Sequence, residues 1–386
     1  MKKGDLKYLR NYIKIYYQGG FERIVENVKD PHRREWALLT YDNKMYRHIR
    51  LDKDNLTKFK DLVLEEAPKG LYYSASYYQN PDEEMELKGR ESTDLIFDLD
   101  ADHMDNIRIK SVYMCVNKEC RAFSFKNKCE KCGGETRNIP IIDDVTIFDA
   151  TQKLKFLISI LNTYLGIPDE YIKLYFSGHR GFHIHIEEEP YISLDDIDRI
   201  AIKDLLVLDG IDIFNVRDRN AYILDILLKN LESLLTIDDP ELKMLLNRIK
   251  HILTEYDDPL KALRNMRVSE GSRRKLNEYI KKKIGVEVDP AVLTDLSRLI
   301  RAPLSLHGKT GLIKKDLEMD DIDNPMNIIE KSIPSKLMAK IHVEILPRIV
   351  WAGKEYGPYY MEDVILPEPL AIYLINLGLA KGIELP

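Results

Sequence analysis

Apolar residues along this 386-residue chain recur at two periods, and the changes between them outline its elements. From residue 5 to 17 aliphatic and aromatic side chains return every three or four positions, the stripe of a helix that Gly19-Gly20 is expected to end. Residues 36–41 and 45–50 read as strands, with Asp42-Asn43-Lys44 as the hairpin turn between them. Residues 71–78 read as another strand, closed by Asn80-Pro81-Asp82. In 94–102 the period is two: Leu95, Phe97 and Leu99 share one face, and Ile96, Asp98 and Asp100 share the other. A helix over 151–165 carries Leu154, Leu157, Ile158, Leu161 and Leu165 on one side and closes at Gly166 and Pro168. Strands follow at 171–176 and 182–187, the latter alternating Phe182, Ile184 and Ile186 against His183, His185 and Glu187.

Beyond residue 193 the texture becomes Leu-, Lys- and Asp-rich and helical to about residue 284, broken by Asp238-Asp239-Pro240 and Asp257-Asp258-Pro259. Thr294 reads as the cap of a short helix that reaches Arg301 and is stopped by Pro303. From Pro334, two segments separated by Gly- and Pro-rich turns lead to an apolar helix near 369–380. The expected class is α/β (α+β), with one mixed sheet flanked by helices and a helical insertion.

Charge narrows the function classes. Lys and Arg number 58 against 64 Asp and Glu, a net charge of −6, so any binding to nucleic acid must rest on a local basic patch. Charged residues at 32%, with 22 tyrosines, lean towards a thermophilic source. No apolar h-region follows Met1-Lys2-Lys3-Gly4-Asp5, and no apolar stretch is long enough for a membrane span. A soluble cytoplasmic protein without a membrane partner is expected.

Three constellations carry chemistry. Asp98 and Asp100 on one strand face repel each other, and a divalent cation relieves that repulsion because hard cations prefer carboxylate oxygens. The bland alternative is a solvated loop entry. All four cysteines, Cys115, Cys120, Cys129 and Cys132, fall in one window with Gly133-Gly134 behind the last pair, a spacing suited to a closed tetrahedral zinc site. Two disulfides or an iron–sulfur cluster are the rivals. The loop Ser177-Gly178-His179-Arg180-Gly181-Phe182-His183 combines two glycines with donors, as a phosphate cradle does, although a plain glycine-rich hairpin would read alike. Further on, Asp289 ends a short alternating run and could complete a carboxylate set, while Arg301, His307 and Lys309 form a basic group suited to a triphosphate. The Gly-Lys-Thr at 308–310 lacks the first glycine of a P-loop, which excludes a simple ATPase.

These motifs occur in the order found in the catalytic small subunit of archaeal and eukaryotic DNA primases. Arg34-Glu35-Trp36 and Tyr46-Arg47 are also similar to that family's N-terminal motifs, and the resemblance covers most of 5–190 and 286–313. It implies a primase catalytic core over 1–192 and 286–386, a zinc knuckle at 115–132 and a helical insertion at 193–285. It further implies that Asp98, Asp100 and Asp289 hold two catalytic Mg²⁺ or Mn²⁺ ions, and that the four cysteines hold a structural Zn²⁺. Ser177, Arg180, His183, Arg301 and His307 match positions that hold the triphosphate; His179 and Lys309 are added nucleotide contacts, and Glu35 and Arg47 supporting residues. The implied enzyme makes short primers on single-stranded DNA from NTPs or dNTPs during replication, by two-metal nucleotidyl transfer. It would work as a heterodimer with a large primase subunit, in the cytoplasm and nucleoid of an archaeon. The alternatives are a primase-polymerase or end-joining polymerase, and a non-catalytic zinc-bearing nucleic-acid-binding protein.

Overall fold

Two four-stranded antiparallel sheets frame the first of two units into which the chain divides in the computed structural model, which describes residues 3–217 and 221–385. That unit holds the chain up to Lys155, Pro168–Leu194, and everything from Ala291 on; the second holds Phe156–Ile167 and Asp195–Pro290.

The first sheet runs in the order Leu299–Arg301, Gly70–Ser74, Trp36–Leu39, Met45–Ile49. Trp36 lies opposite Tyr73 and Leu38 opposite Leu71, and both pairs enter a core that also takes Tyr17, Phe21, Ile24 and Phe59. Tyr17, Phe21 and Ile24 belong to the helix Lys3–Glu26, which runs straight through Gly19-Gly20 instead of ending there. A glycine costs a helix about 1 kcal/mol. Burying Phe21 and Ile24 completely returns about 1.5–3 kcal/mol each, so packing outweighs the local stop signal.

The second sheet runs Lys315–Leu317, Lys173–Phe176, Gly181–Ile186, Leu95–Asp100. The α+β class holds, but the expectation of a single sheet does not: the described strands form six sheets, because alternation marks a strand without naming its partner. The expected strand over 71–78 divides for the same reason. Gly70–Ser74 stays in the first sheet, whereas Ser76–Tyr78 pairs with Arg90–Thr93. Another correction falls at 294–301, where the helix is only Pro290–Thr294 and Leu299–Arg301 is a strand with Ile300 opposite Tyr73. The buried sheet partner decides that segment over its helical cap signal.

The helix read from residue 151 begins at Asp144 and ends at Leu165 as expected. A three-stranded sheet, Phe123–Ser124, Lys110–Cys115 and Thr136–Ile141, presents the cysteine window. Towards the C-terminus, Met338–Leu346 lies between Tyr359–Pro367 and Ala380–Glu384, and the apolar helix Glu368–Leu377 packs on this sheet.

The second unit is helical, with Tyr222–Leu234, Pro240–Glu255 and Glu270–Ile284 burying Leu227, Leu231, Leu246, Ile249 and Leu276 among them. Its Asp-Pro breaks are helix starts. The Asp239 carboxylate accepts from the Glu241 and Leu242 amides and the Asp258 carboxylate from the Lys261 amide, each with proline at the first helical position. No helix among the described residues is long and apolar enough to cross a membrane.

Candidate active site

The strand Leu95–Asp100 forms one edge of the second sheet, paired on its inner side with Gly181–Ile186. The register sets His183 opposite Asp98 and Gly181 opposite Asp100, so the histidine and both carboxylates share a face. Leu95, Phe97 and Leu99 are fully buried on the other face, as the alternation requires. Gly181 is needed by contact: a Cβ there would stand 2.2 Å from the Leu99 carbonyl oxygen. Gly178 is needed by conformation, at φ +80° in the left-handed region, with the Ile313 carbonyl 3.0 Å from where a Cβ would be. Just ahead of these glycines, the Ser177 hydroxyl accepts from the amides of His179 (3.3 Å) and Gly181 (3.2 Å), which closes the loop into a tight turn.

Asp98 and Asp100 face a cavity of 220 Å³, with side chains 28% and 35% exposed. Around its walls stand Ser177, His179, Arg180 and His183 from the loop and its following strand, and Arg301 and His307 from the first sheet and the segment beyond it. The Arg180 Nε donates to Asp100 Oδ1 at 2.6 Å, and its guanidinium also pairs with Asp102. Burial alone would raise the Asp100 pKa, but the Arg180 hydrogen bond and the Asp102 amide outweigh it and hold the carboxyl below its usual value. Asp98 Oδ1 lies 3.6 Å from His183 Nε2. Two carboxylates on one strand face, opening into a cavity, form a hard oxygen donor set that fits Mg²⁺ or Mn²⁺.

The rest of the cavity wall is cationic and polar. Arg301 donates to the Leu306 carbonyl (3.0 Å) and to the Tyr72 hydroxyl (3.2 Å), with its guanidinium 5.1 Å from the Tyr72 ring centre. The His179 and His307 rings stack at 4.9 Å and 12°. Burial, then Arg180 and Lys309, push the His179 pKa down to about 3. Burial and Arg301 lower that of His307, and burial and Lys314 that of His183. All three imidazoles are therefore neutral at pH 7 and offer hydrogen bonds, while Arg180 and Arg301 carry the charge.

Lys309 adjoins this wall through its amide, which donates to His307 Nδ1 at 3.3 Å. Asp289 falls in the second unit, at the residue before the helix Pro290–Thr294. Glu35 and Arg47 form a separate cluster: the Glu35 carboxylate, fully buried, accepts from Arg47 at 3.0 Å and also pairs with Lys88. Sequence reasoning missed Tyr72 and Arg298 in the cavity wall, since neither belongs to a motif, and left His185 without a role. A larger groove of 700 Å³ lies in the second unit, where Arg273 pairs with Asp212 and Lys281 with the adjacent Asp209.

The four cysteine sulfurs converge, all within 4.8 Å of one another, with Cys115 to Cys132 at 3.5 Å and Cys120 to Cys129 at 3.7 Å. A tetrahedral ion with Zn–S bonds of about 2.3 Å places its sulfurs about 3.8 Å apart. The cluster thus fits one metal ion such as zinc, and multi-iron clusters would hold the sulfurs farther apart. The turn at Gly133 (φ +69°) is closed by its amide donating to the Cys129 carbonyl at 2.8 Å, which brings the last pair together.

Comparison with known proteins places the chain in a family. Residues 97–319 match the family described as DNA primase small subunit. The DNA primase small subunit PriS of Archaeoglobus fulgidus is 29% identical over 96% of this chain and 97% of its own length. That of Picrophilus torridus is 30% identical over 97% of each, and that of Nitrosopumilus maritimus 27% over 98% and 99%. Among solved structures, the polymerase domain of Mycobacterium tuberculosis Ligase D in complex with DNA superposes with a TM-score of 0.39 at 10% identity, covering 82% of this chain and 83% of that one, too loosely to bear on the chemistry.

Proposed function

Because the chain belongs to the DNA primase small subunit family, we propose that it is the catalytic subunit of a primase, synthesising short primers on a single-stranded DNA template from nucleoside triphosphates. One observation carries this reading: a single cavity brings together the Asp98 and Asp100 carboxylates, two arginines and three neutral imidazoles. That is the arrangement for a triphosphate held beside divalent cations.

Asp98 and Asp100 would hold divalent Mg²⁺ or Mn²⁺ ions. Bound there, the ions supply charge neutralisation at the triphosphate and acidify a primer 3′-hydroxyl. Arg301, fixed by Leu306 and Tyr72, presents its remaining N–H groups to phosphate oxygens. Arg180 pairs with Asp100 in the cavity lining, where it keeps the carboxylate ionised and offers charge to a departing pyrophosphate. His179, His183 and His307 donate hydrogen bonds to the same oxygens, with Ser177 and Lys309 at the rim. The cysteine knuckle, closed by four protein ligands, would hold zinc for structure alone. A large subunit would complete the enzyme, as the "small subunit" of its relatives' names implies.

The test is synthesis on unprimed single-stranded DNA with labelled nucleotides and Mg²⁺ or Mn²⁺, beside the Asp98→Ala/Asp100→Ala variant. New short strands from the wild type alone are expected. Extension of an added primer without initiation would reassign the chain to the polymerase alternative. Absence of both, even with a large subunit supplied, would leave a nucleic-acid-binding protein.

A further inference from the structure

Behind the cavity lies a lysine with no access to water. Lys314 is fully buried, directly before the edge strand Lys315–Leu317 of the second sheet. Its ammonium donates to the main-chain carbonyl of Arg301 at 3.0 Å and lies 3.1 Å from Nε2 of His185, with the Tyr175 ring centre at 4.7 Å. Three N–H groups thus meet three acceptors: a carbonyl, an imidazole lone pair and an aromatic face. The donation to Nε2 places the proton of His185 on Nδ1, which faces the Tyr73 hydroxyl at 3.4 Å and Glu187 at 3.9 Å.

These contacts join the two sheets. Arg301 and Tyr73 belong to the first, His185 and Tyr175 to the second. His185 is also two residues from His183 on the same strand face, their rings nearly parallel at 6.1 Å. Removing an ammonium from water costs several kcal/mol, and a methionine of similar length would fill the space without that cost. Burial, followed by the Arg301 guanidinium, brings the Lys314 pKa down to about 7, a sign of how dry the position is. The fold keeps a costly cation where the phosphate-facing arginine and the carboxylate sheet are tied together.

We propose that Lys314 is a positioning residue for nucleotide use: it fixes the Arg301 main chain against the sheet that carries Asp98 and Asp100, and so sets the spacing across the cavity. This rests on the nucleotide reading of the same cavity. The ammonium touches neither carboxylate, so its effect passes through Arg301 and His185.

The test compares the full chain with Lys314→Met and Lys314→Arg in four measurements: thermal melting, affinity for a fluorescent triphosphate analogue, affinity for primed DNA by anisotropy, and steady-state synthesis. Lys314→Met should melt at or above the wild-type temperature, lose about tenfold in triphosphate affinity with a matching rise in nucleotide KM, and bind DNA unchanged. Lys314→Arg should recover part of the affinity. Unchanged triphosphate affinity and KM at an unchanged melting temperature would overturn the proposal. So would a parallel fall in triphosphate affinity, DNA affinity and melting temperature, which marks a merely structural lysine. A wild type that makes no product while Lys314→Met still weakens triphosphate binding would overturn the catalytic reading alone and leave Lys314 in its role.

Discussion

The close approach of two strands at Gly181 allows a sharp prediction. The glycine pairs with Asp100, and a Cβ there would lie 2.2 Å from the Leu99 oxygen, 3.1 Å from the Leu99 carbonyl carbon and 3.2 Å from the Asp100 Cα. All three neighbours are backbone, so no side chain can swing away. Gly181→Ala must therefore part the strands by about 1 Å, at the point where one strand carries Asp100 and the other leads from the loop to His183. A displacement of that size in a reacting constellation costs about 10²-fold in rate. Overpacking of this kind costs about 1–3 kcal/mol of stability, or roughly 3–10 °C in melting temperature. The assay is kcat/KM for nucleotide incorporation together with a thermal melt. Gly19→Ala serves as control, since that glycine lies mid-helix with nothing within 4 Å of a new Cβ and should gain about 0.5–1 kcal/mol with full activity. If Gly181→Ala melted with the wild type and kept kcat/KM within threefold, the strand register and the argument from it would both be wrong.

Other expectations follow from the same contacts. Arg301→Lys keeps the charge but cannot reach Leu306 and Tyr72 together, so nucleotide KM should rise about 10-fold or more while DNA affinity holds; an unchanged KM would remove Arg301 from the cradle. Folding should weaken in mild acid: unfolded imidazoles take up protons near pH 6.5, whereas His179 and His185 in the fold do so only at about 3, and His183 and His307 well below 6.5. The unfolded chain then binds more protons across that window, so the histidines' contribution to stability is complete above pH 6.5 and falls as the pH drops. Equal urea midpoints at pH 7.5 and pH 5 would contradict this. Metal analysis should find one zinc per chain, and a strong chelator should expose four titratable thiols and lower the melting temperature. Four reactive thiols before chelation would argue against a metal at Cys115, Cys120, Cys129 and Cys132.

Local pattern was enough for the chemistry-bearing pieces of this chain. A period of two put Asp98 and Asp100 on one face, because strand geometry leaves no other choice once Leu95, Phe97 and Leu99 are buried. The cysteine spacing sufficed for a converging set of four sulfurs, and the glycines of the loop from Ser177 to His183 for a tight turn full of donors, since each depends on a few consecutive residues. Pairings between distant segments were beyond it. Nothing around Leu299-Ile300-Arg301 announces that Gly70–Ser74 will be its neighbour, so a capping signal at Thr294 suggested a helix where the fold has a strand. Nothing at Gly19-Gly20 announces the core that carries the first helix onward through Phe21 and Ile24. Lys314 reads as one more charged residue until Arg301, His185 and Tyr175 arrive from three other strands to surround it. Side-chain direction and short turns are properties of neighbouring residues, which sequence alone determines. Which sheet a strand joins, and which charge is worth burying, are decided by contacts among segments beyond any local window, and those exist only once the chain has folded.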